Sequence, residues 1–183
     1  MGKLRFRFKA EKFVNAVVYL AQAIPNSTKL TICKEIYFAD KEHLTRFGRT
    51  ITGDTYYHLT HGQIPTRGLD MLRGRAGAGS NALFEKYVAV IGNSVHPKRQ
   101  ADKKVFSKSE IDVLNEIIGR FKNLPATRIR KLAHDEASFK ESQDGCPIDF
   151  DLFFRENPKS ASVKIFAERE QEARDVLRVY AAE

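Results

Sequence analysis

The apolar residues of this chain recur mostly at the three- and four-residue spacing of amphipathic helices. In the first helix this stripe begins at Phe13, and Pro25 ends it. For the next helix, Ser27 or Thr28 is a candidate N-cap and Gly48 is a natural C-terminal stop. The pattern therefore predicts two consecutive helices near the start of the chain.

Further helices are predicted in the second half. Ser107 and Glu110 have the spacing of a capping box, and helical periodicity follows from Ile111 to Phe121. Shorter helices are predicted from Pro65 to about Arg73 and, with Thr127 as the cap, through His134. In the last helix, which Ser160 is expected to cap, the predicted buried stripe is Val163, Phe166, Ala173, Leu177 and Tyr180.

Signals for β-structure are short. Residues 3–9 alternate between apolar and basic side chains, which predicts a half-buried strand. Residues 83–91 carry a strand signal, and the turn at Gly92-Asn93 predicts a hairpin. Residues 51–60 predict an irregular loop or a short strand. The expected fold class is mainly α (α+β): a single compact helical domain over residues 1–183 with a small β-sheet or hairpin.

The composition is that of a folded intracellular protein. The 183 residues are 42% hydrophobic and include thirteen Phe. No apolar run approaches the roughly 20 residues of a membrane-spanning helix, and the basic N-terminus lacks the apolar core of a secretory signal. Two cysteines, Cys33 and Cys146, are too few for a disulfide framework or a zinc module. We expect a cytoplasmic protein with no membrane partner.

The net charge of +8 is spread along the chain. The basic residues concentrate at positions 3–12, 67–75, 98–108 and 120–131. Such charge can form a solvated surface, attract an acidic protein or attract nucleic acid. Nucleic acid is the less favoured partner, because no RNA-binding aromatic motif or zinc finger accompanies the charge.

Few patterns in the chain point to catalysis. The glycine-rich run at 74–79 lacks the Lys-Ser/Thr ending of a phosphate-binding loop, and no Gly-x-Ser-x-Gly elbow occurs. A metal-dependent hydrolase is the main enzymatic alternative, but its candidate ligands lack a diagnostic spacing. Those candidates are Asp40, His43, Asp54, His58 and His61. We predict no catalytic residue, no metal and no cofactor.

Two ordered blocks resemble the signature of the Panacea domain family. Residues 36–44 read IYFADKEHL, and residues 47–57 read FGRTITGDTYY. The step HGQIP at 61–65, the helix at 107–121 and the run LAHDE at 132–136 resemble later parts of the same family. The resemblance covers about residues 9–154, and residues 155–183 follow it as a predicted C-terminal helix.

The resemblance implies a SocA-like antitoxin. Members of the family neutralise unrelated small toxins encoded beside them, often in prophage-linked pairs. Some resemble proteolytic adaptors that hand the toxin to an ATP-dependent protease. We therefore expect a protein-binding module with a cognate toxin as its partner and possible delivery to such a protease, and we expect no enzymatic activity.

The expected partner-binding or signature positions all lie within residues 36–65, called here the signature segment. They are Tyr37, Asp40, His43, Arg49, Thr52, Asp54, Tyr56 and His61. The segment can be either a binding surface or a structural staple. Arg49 is expected to pair with Asp54 or with Asp40, and Asp54 is expected to accept backbone N–H bonds and fix the turn.

Overall fold

A computed structural model describes residues 3–180, apart from the side chains of residues 158, 179 and 180. Its helices are α1 Ala10–Ala23, α2 Lys29–Phe47, α3 Thr66–Leu72, α4 Ala78–Tyr87, α5 Lys108–Phe121, α6 Ala126–Asp135, α7 Ala137–Lys140 and α8 Ala161–Tyr180. Its strands are β1 Tyr56–Leu59, β2 Gly62–Pro65, β3 Val88–Ile91 and β4 Ser94–Pro97. Short 3₁₀ turns lie at Lys103–Val105, Phe150–Phe154 and Pro158–Ser160. The prediction of a mainly helical chain with small β-structure is confirmed.

Helix α2 is the centre of the packing. It contacts α1, α3, α5, α6, α8 and β2. Every residue from Thr31 to Lys41 is buried, as expected for a helix surrounded by other elements on all sides. The ring of Tyr37 packs against those of Phe38 and Phe153 with centroids 5.0 and 5.4 Å apart. The signature segment therefore begins inside the core.

Two antiparallel hairpins flank this helix. Strand β1 pairs with β2, and β3 pairs with β4 across the predicted Gly92-Asn93 turn. The second hairpin is attached to the start of α2, because the Lys29 N–H donates to the Asn93 carbonyl at 2.9 Å and the Val95 N–H donates to the Ser27 carbonyl at 2.9 Å. Both hairpins thus lie beside α2.

The predicted helix ends of α2 and α5 are confirmed. The Thr28 hydroxyl accepts from the Thr31 N–H at 3.2 Å, and Gly48 ends α2 with φ of 70°. At α5, Ser107 and Glu110 form the predicted capping box. Glu110 also accepts from the Lys12 ammonium at 2.6 Å, which ties this cap to α1.

Replacing Ser107 with Ala is expected to lower the free energy of unfolding by about 1 kcal/mol. The substitution removes the acceptor of the Glu110 N–H while leaving the Glu110 carboxylate bonded to the Ser107 N–H at 2.8 Å. Urea denaturation of both proteins measures the difference. An unchanged midpoint would show that the hydroxyl contributes nothing at this cap.

Several local predictions were wrong. Residues 3–9 keep their alternating burial, but they pair with no strand in the described chain. Residues 83–87 end helix α4, and only Val88–Ile91 are a strand. Pro125 precedes α6, and Thr127, inside that helix, does not cap it.

The predicted buried stripe of α8 was wrong at Phe166, Ala173 and Leu177. Phe166 and Leu177 are 56% and 67% exposed, and Ala173 is exposed as well. Ala167 of α8 enters the core, and the predicted Val163 is partly buried and packs against it. The Tyr180 side chain lies outside the described residues. The helix therefore packs on the protein through Ala167 and Glu168, while the larger apolar side chains of Ile165 and Phe166 stay exposed.

Candidate functional site

Asp40 on α2 holds the loop that follows this helix. Its side chain is fully buried and accepts the backbone N–H groups of Ile51 and Thr52 at 2.8 and 2.9 Å. The Tyr56 hydroxyl donates to the same carboxylate at 2.8 Å, and the Thr52 hydroxyl donates to it as well. Burial raises the pKa of Asp40, and the hydrogen bonds it accepts oppose that shift. These contacts fix the loop to the central helix.

Asp54 connects the same loop to α3. The carboxylate accepts the N–H groups of Thr55, Arg67 and Gly68 at 2.8, 3.1 and 2.7 Å. The prediction that Asp54 binds backbone N–H groups is confirmed, and two of these donors lie at the start of α3, more than ten residues away along the chain. Burial raises the pKa of Asp54 to about 6, while the three donors act in the opposite direction.

Replacing Asp54 with Ala is expected to destabilise the free protein by about 1–3 kcal/mol. The side chain is fully buried, so its loss leaves three N–H donors without their partner. Thermal melting and hydrogen exchange of residues 51–68 measure the effect, with faster exchange expected in that segment. A free protein with unchanged melting and exchange would contradict the structural role of Asp54.

His43 closes the end of α2. Its Nδ1 donates to the Arg49 carbonyl at 2.6 Å, so its Nε2 accepts from the Ser109 hydroxyl at 3.1 Å. Burial lowers the pKa of His43, which favours this neutral form. The predicted pairing of Arg49 with Asp40 or Asp54 was wrong, because its side chain is exposed and forms no ion pair with either of them.

Tyr37 and Tyr56 lie side by side in the core. Their ring centroids are 5.5 Å apart. The Tyr37 hydroxyl is 2.6 Å from the Ser138 hydroxyl, and the Gln63 side-chain amide donates to the same Ser138 oxygen at 2.9 Å. This chain of bonds links α2 with β2 and α7. Tyr57 alternates with Tyr56 and is only partly buried, as its strand position predicts.

The five candidate metal ligands do not converge. Asp40 and Asp54 are occupied by the contacts above, and His58 lies 2.9 Å from the Ser142 hydroxyl. His61 is exposed in the turn between β1 and β2. Within residues 3–180, no three His, Cys, Asp or Glu side chains are placed to hold a metal ion. The hydrolase alternative therefore has no assembled site in the described residues.

The central helix also buries an unpaired acid. Glu35 is fully buried, and neither of its carboxyl oxygens has a hydrogen-bond partner among the described residues. Burial raises its pKa from the ordinary 4.5 to about 8. Because the folded protein holds this proton more tightly than the unfolded chain, the contribution to stability is complete below pH 4.5 and is lost as the pH rises to 8.

The variant Glu35→Gln should therefore gain stability relative to the parent protein as the pH rises. The expected gain is about 1.4 kcal/mol per pH unit between the two pKa values, or about 2 kcal/mol between about pH 5.5 and about pH 7. Urea denaturation of both proteins at the two pH values measures it. Glu172→Gln, at an exposed position, is the control. If the difference in free energy of unfolding between Glu35→Gln and the parent is the same at both pH values, Glu35 does not hold a proton in the folded protein.

A surface groove lies between the hairpins and was not predicted from the sequence. We call it the hairpin groove; its volume is about 620 Å³. It is lined by Thr28, Lys29, Leu30, Cys33, Leu59, Thr60, His61, Ile64, Leu69, Arg73 and Asn93. Of the eight predicted site residues, only His61 lines it. Little in the sequence indicates the groove, because its lining residues come from distant parts of the chain.

Cys33 lies at the floor of the hairpin groove and has an unreactive thiol. Its side chain is 1% exposed, and both cysteines are free. Burial raises the pKa of Cys33 to about 12, so the thiolate is scarce at neutral pH. Cys33 is thus a buried free thiol on the central helix.

The fold is a helical scaffold in which six of the eight predicted site residues are buried. A family model described as "Antitoxin SocA-like, Panacea domain" matches residues 32–139. Since this is more than half of the 183 residues, the chain belongs to the SocA-like Panacea antitoxin family. No curated protein and no solved structure matches the chain. None of the helices in the described part of the chain is long and apolar enough to span a membrane.

Proposed function

We propose that this protein is an antitoxin that neutralises a cognate toxin, encoded nearby, by binding it directly in the cytoplasm. The observation that carries the proposal is the family match over residues 32–139. The internal bonding of the signature segment is consistent with it. Asp40, Asp54 and His43 each bond to backbone or hydroxyl groups of the fold, which is the use expected of residues that hold a binding scaffold in shape.

The signature segment acts in this proposal as a structural staple. Six of the eight predicted site residues are buried, Asp40 and Asp54 among them, so a partner at the surface does not touch those two carboxylates. His61 and Arg49 are the two predicted site residues whose side chains are exposed. We therefore expect the toxin to contact exposed residues of the scaffold and not the buried Asp40 and Asp54.

Co-expression tests the proposal. Each reading frame adjacent to this gene is induced alone and together with the antitoxin candidate. We expect one of them to arrest growth alone and to become harmless with the partner present, and we expect the two proteins to co-purify. If no adjacent product is toxic, or if toxicity persists with abundant folded partner, the proposed function is wrong.

A second stage of the same experiment separates binding from proteolytic delivery. The half-life of the toxin is followed with and without the antitoxin, in cells that have or lack each ATP-dependent protease. Direct binding alone leaves the toxin level unchanged while toxicity disappears. A toxin that vanishes only when both antitoxin and protease are present would make this protein an adaptor.

Nucleic-acid binding stays a prediction from charge. The basic surface predicts binding that weakens steeply with salt. A mobility-shift titration at low ionic strength, with duplex DNA and structured RNA, tests it. Absence of a shift there removes this alternative, because electrostatic affinity is then at its strongest.

A further inference from the structure

We propose that the hairpin groove binds a short apolar segment of the toxin that is flanked by acidic residues. This inference rests on the proposed function, and it names the surface and the chemistry that the contact would use. Three features of the groove support it. The floor is apolar, the basic residues of the rim form no ion pair within the described chain, and the walls are held in place by hydrogen bonds of the fold.

The floor of the hairpin groove is apolar. Leu30, Ile64 and Leu69 contribute side chains from α2, β2 and α3, and Cys33 lies beneath them. Leu59 at the end of β1 remains 38% exposed. A volume of about 620 Å³ lies within the range of protein sites that enclose apolar groups. An apolar segment of a partner would remove this floor from water.

The rim of the hairpin groove is basic. Lys29, His61 and Arg73 line it, and none of its lining residues is acidic. Neither Lys29 nor Arg73 forms an ion pair within the described chain, whereas other surface cations such as Arg46 and Lys131 pair with neighbouring carboxylates. Residues 28–30 at the start of α2 also line the groove, so the positive end of this helix lies beside it. Acidic side chains on a partner would supply the missing counter-charges.

The walls of the hairpin groove are held by the fold. The β3–β4 turn is fixed to the start of α2 by the bond between the Lys29 N–H and Asn93. The β1–β2 hairpin is held from below, because the buried Lys34 ammonium donates to the Gln63 carbonyl at 2.8 Å. A groove that needs no rearrangement loses less free energy on binding, which suits capture of a short segment.

Three labelled decapeptides test the chemistry directly. The first has a central Leu/Phe block with two Glu on each side, the second replaces the Glu by Lys, and the third replaces the apolar block by Ser. Fluorescence polarisation at low salt should show the first binding at least tenfold more tightly than either of the others, and its affinity should fall as salt is added. Equal binding of the Lys peptide, or no binding of the first, overturns the inference.

Two variants with matched controls locate the site. Leu59→Asp and the charge reversal Arg73→Glu should each weaken the first peptide at least tenfold. Leu177→Asp and Arg169→Glu make the same changes at exposed positions of α8, outside the groove lining, and should bind as the parent does. All four proteins are first shown to melt as the parent does. Binding that survives both groove variants places the peptide elsewhere and overturns the inference.

The same four variants are then used in the co-expression assay. If Leu59→Asp and Arg73→Glu lose neutralisation while the α8 controls keep it, the inference is supported. If all four neutralise equally, the hairpin groove is not the toxin site, although the proposed function stands. If no adjacent gene is toxic, the proposed function fails by itself, and the peptide measurements alone decide whether the groove binds acidic apolar segments.

Discussion

Replacing Asp40 with Ala is expected to lower the free energy of unfolding by about 4 kcal/mol, enough to leave a substantial part of a marginally stable protein unfolded. The carboxylate is fully buried and serves two backbone N–H groups, the Tyr56 hydroxyl and the Thr52 hydroxyl. Its removal leaves all of these donors without their acceptor, and each unpaired buried donor costs about 1–3 kcal/mol before the loop relaxes. Urea denaturation followed by circular dichroism measures the loss.

Asp40→Asn is the matched variant, because it keeps the size of the side chain and one acceptor oxygen. We expect it to fall between Asp40→Ala and the parent protein. Asp112→Ala on α5 is the control, because it removes an exposed acidic side chain from a helix. A loss below about 1 kcal/mol for Asp40→Ala would mean that the loop does not depend on this carboxylate.

A methyl group at position 53 should be nearly as damaging. Gly53 has φ of 71°, and an added Cβ would lie 2.0 Å from the carbonyl oxygen of Arg7. The backbone of residues 7–9 must then move, which also breaks the 2.8 Å bond from the Lys9 N–H to the Thr52 carbonyl. We expect Gly53→Ala to destabilise the protein by about 3–4 kcal/mol, from left-handed strain together with overpacking.

Gly74→Ala separates these two causes. Gly74 has a similar φ of 68°, but an added Cβ meets no atom within 4 Å. This variant should lose only the conformational part, about 1 kcal/mol. Both proteins are compared with the parent in the same urea titration. Equal losses for the two variants would show that contact with the N-terminal segment contributes nothing.

The features that could be predicted from the sequence are those set by neighbours along the chain. The capping box at Ser107, the stop at Gly48 and the turn at Gly92-Asn93 each depend on a few adjacent residues, and each was correct. The strand signal of residues 83–87 failed because Leu83, Phe84 and Tyr87 lie at helical spacing, with the exposed Glu85 and Lys86 between them. The stripe of α8 failed because apolar content alone does not select the buried face. Gln171 of α8 donates to the Lys3 carbonyl, and Phe166 reaches Gly48 while it stays more than half exposed.

The residues of the candidate site could be predicted from the sequence, but their contacts could not. The sequence placed Asp40, Asp54 and Tyr56 in one signature, but their partners lie across tertiary contacts that no local pattern encodes. Arg49 was assigned to an ion pair because opposite charges were near in sequence. In the structure those acids are already satisfied by N–H and hydroxyl donors, so the arginine side chain turns to the surface.

The inward bonding of the signature segment bears on how such a protein could change partners in evolution. Leu59, His61 and Arg73 are exposed and line the groove without supporting the Asp40 and Asp54 networks. Substitutions at exposed positions of this kind usually change stability by less than about 0.5 kcal/mol. If the hairpin groove binds the toxin as proposed, its exposed residues can change while the buried networks are retained. One scaffold could then come to bind new toxins through surface substitutions, with each intermediate sequence still folded.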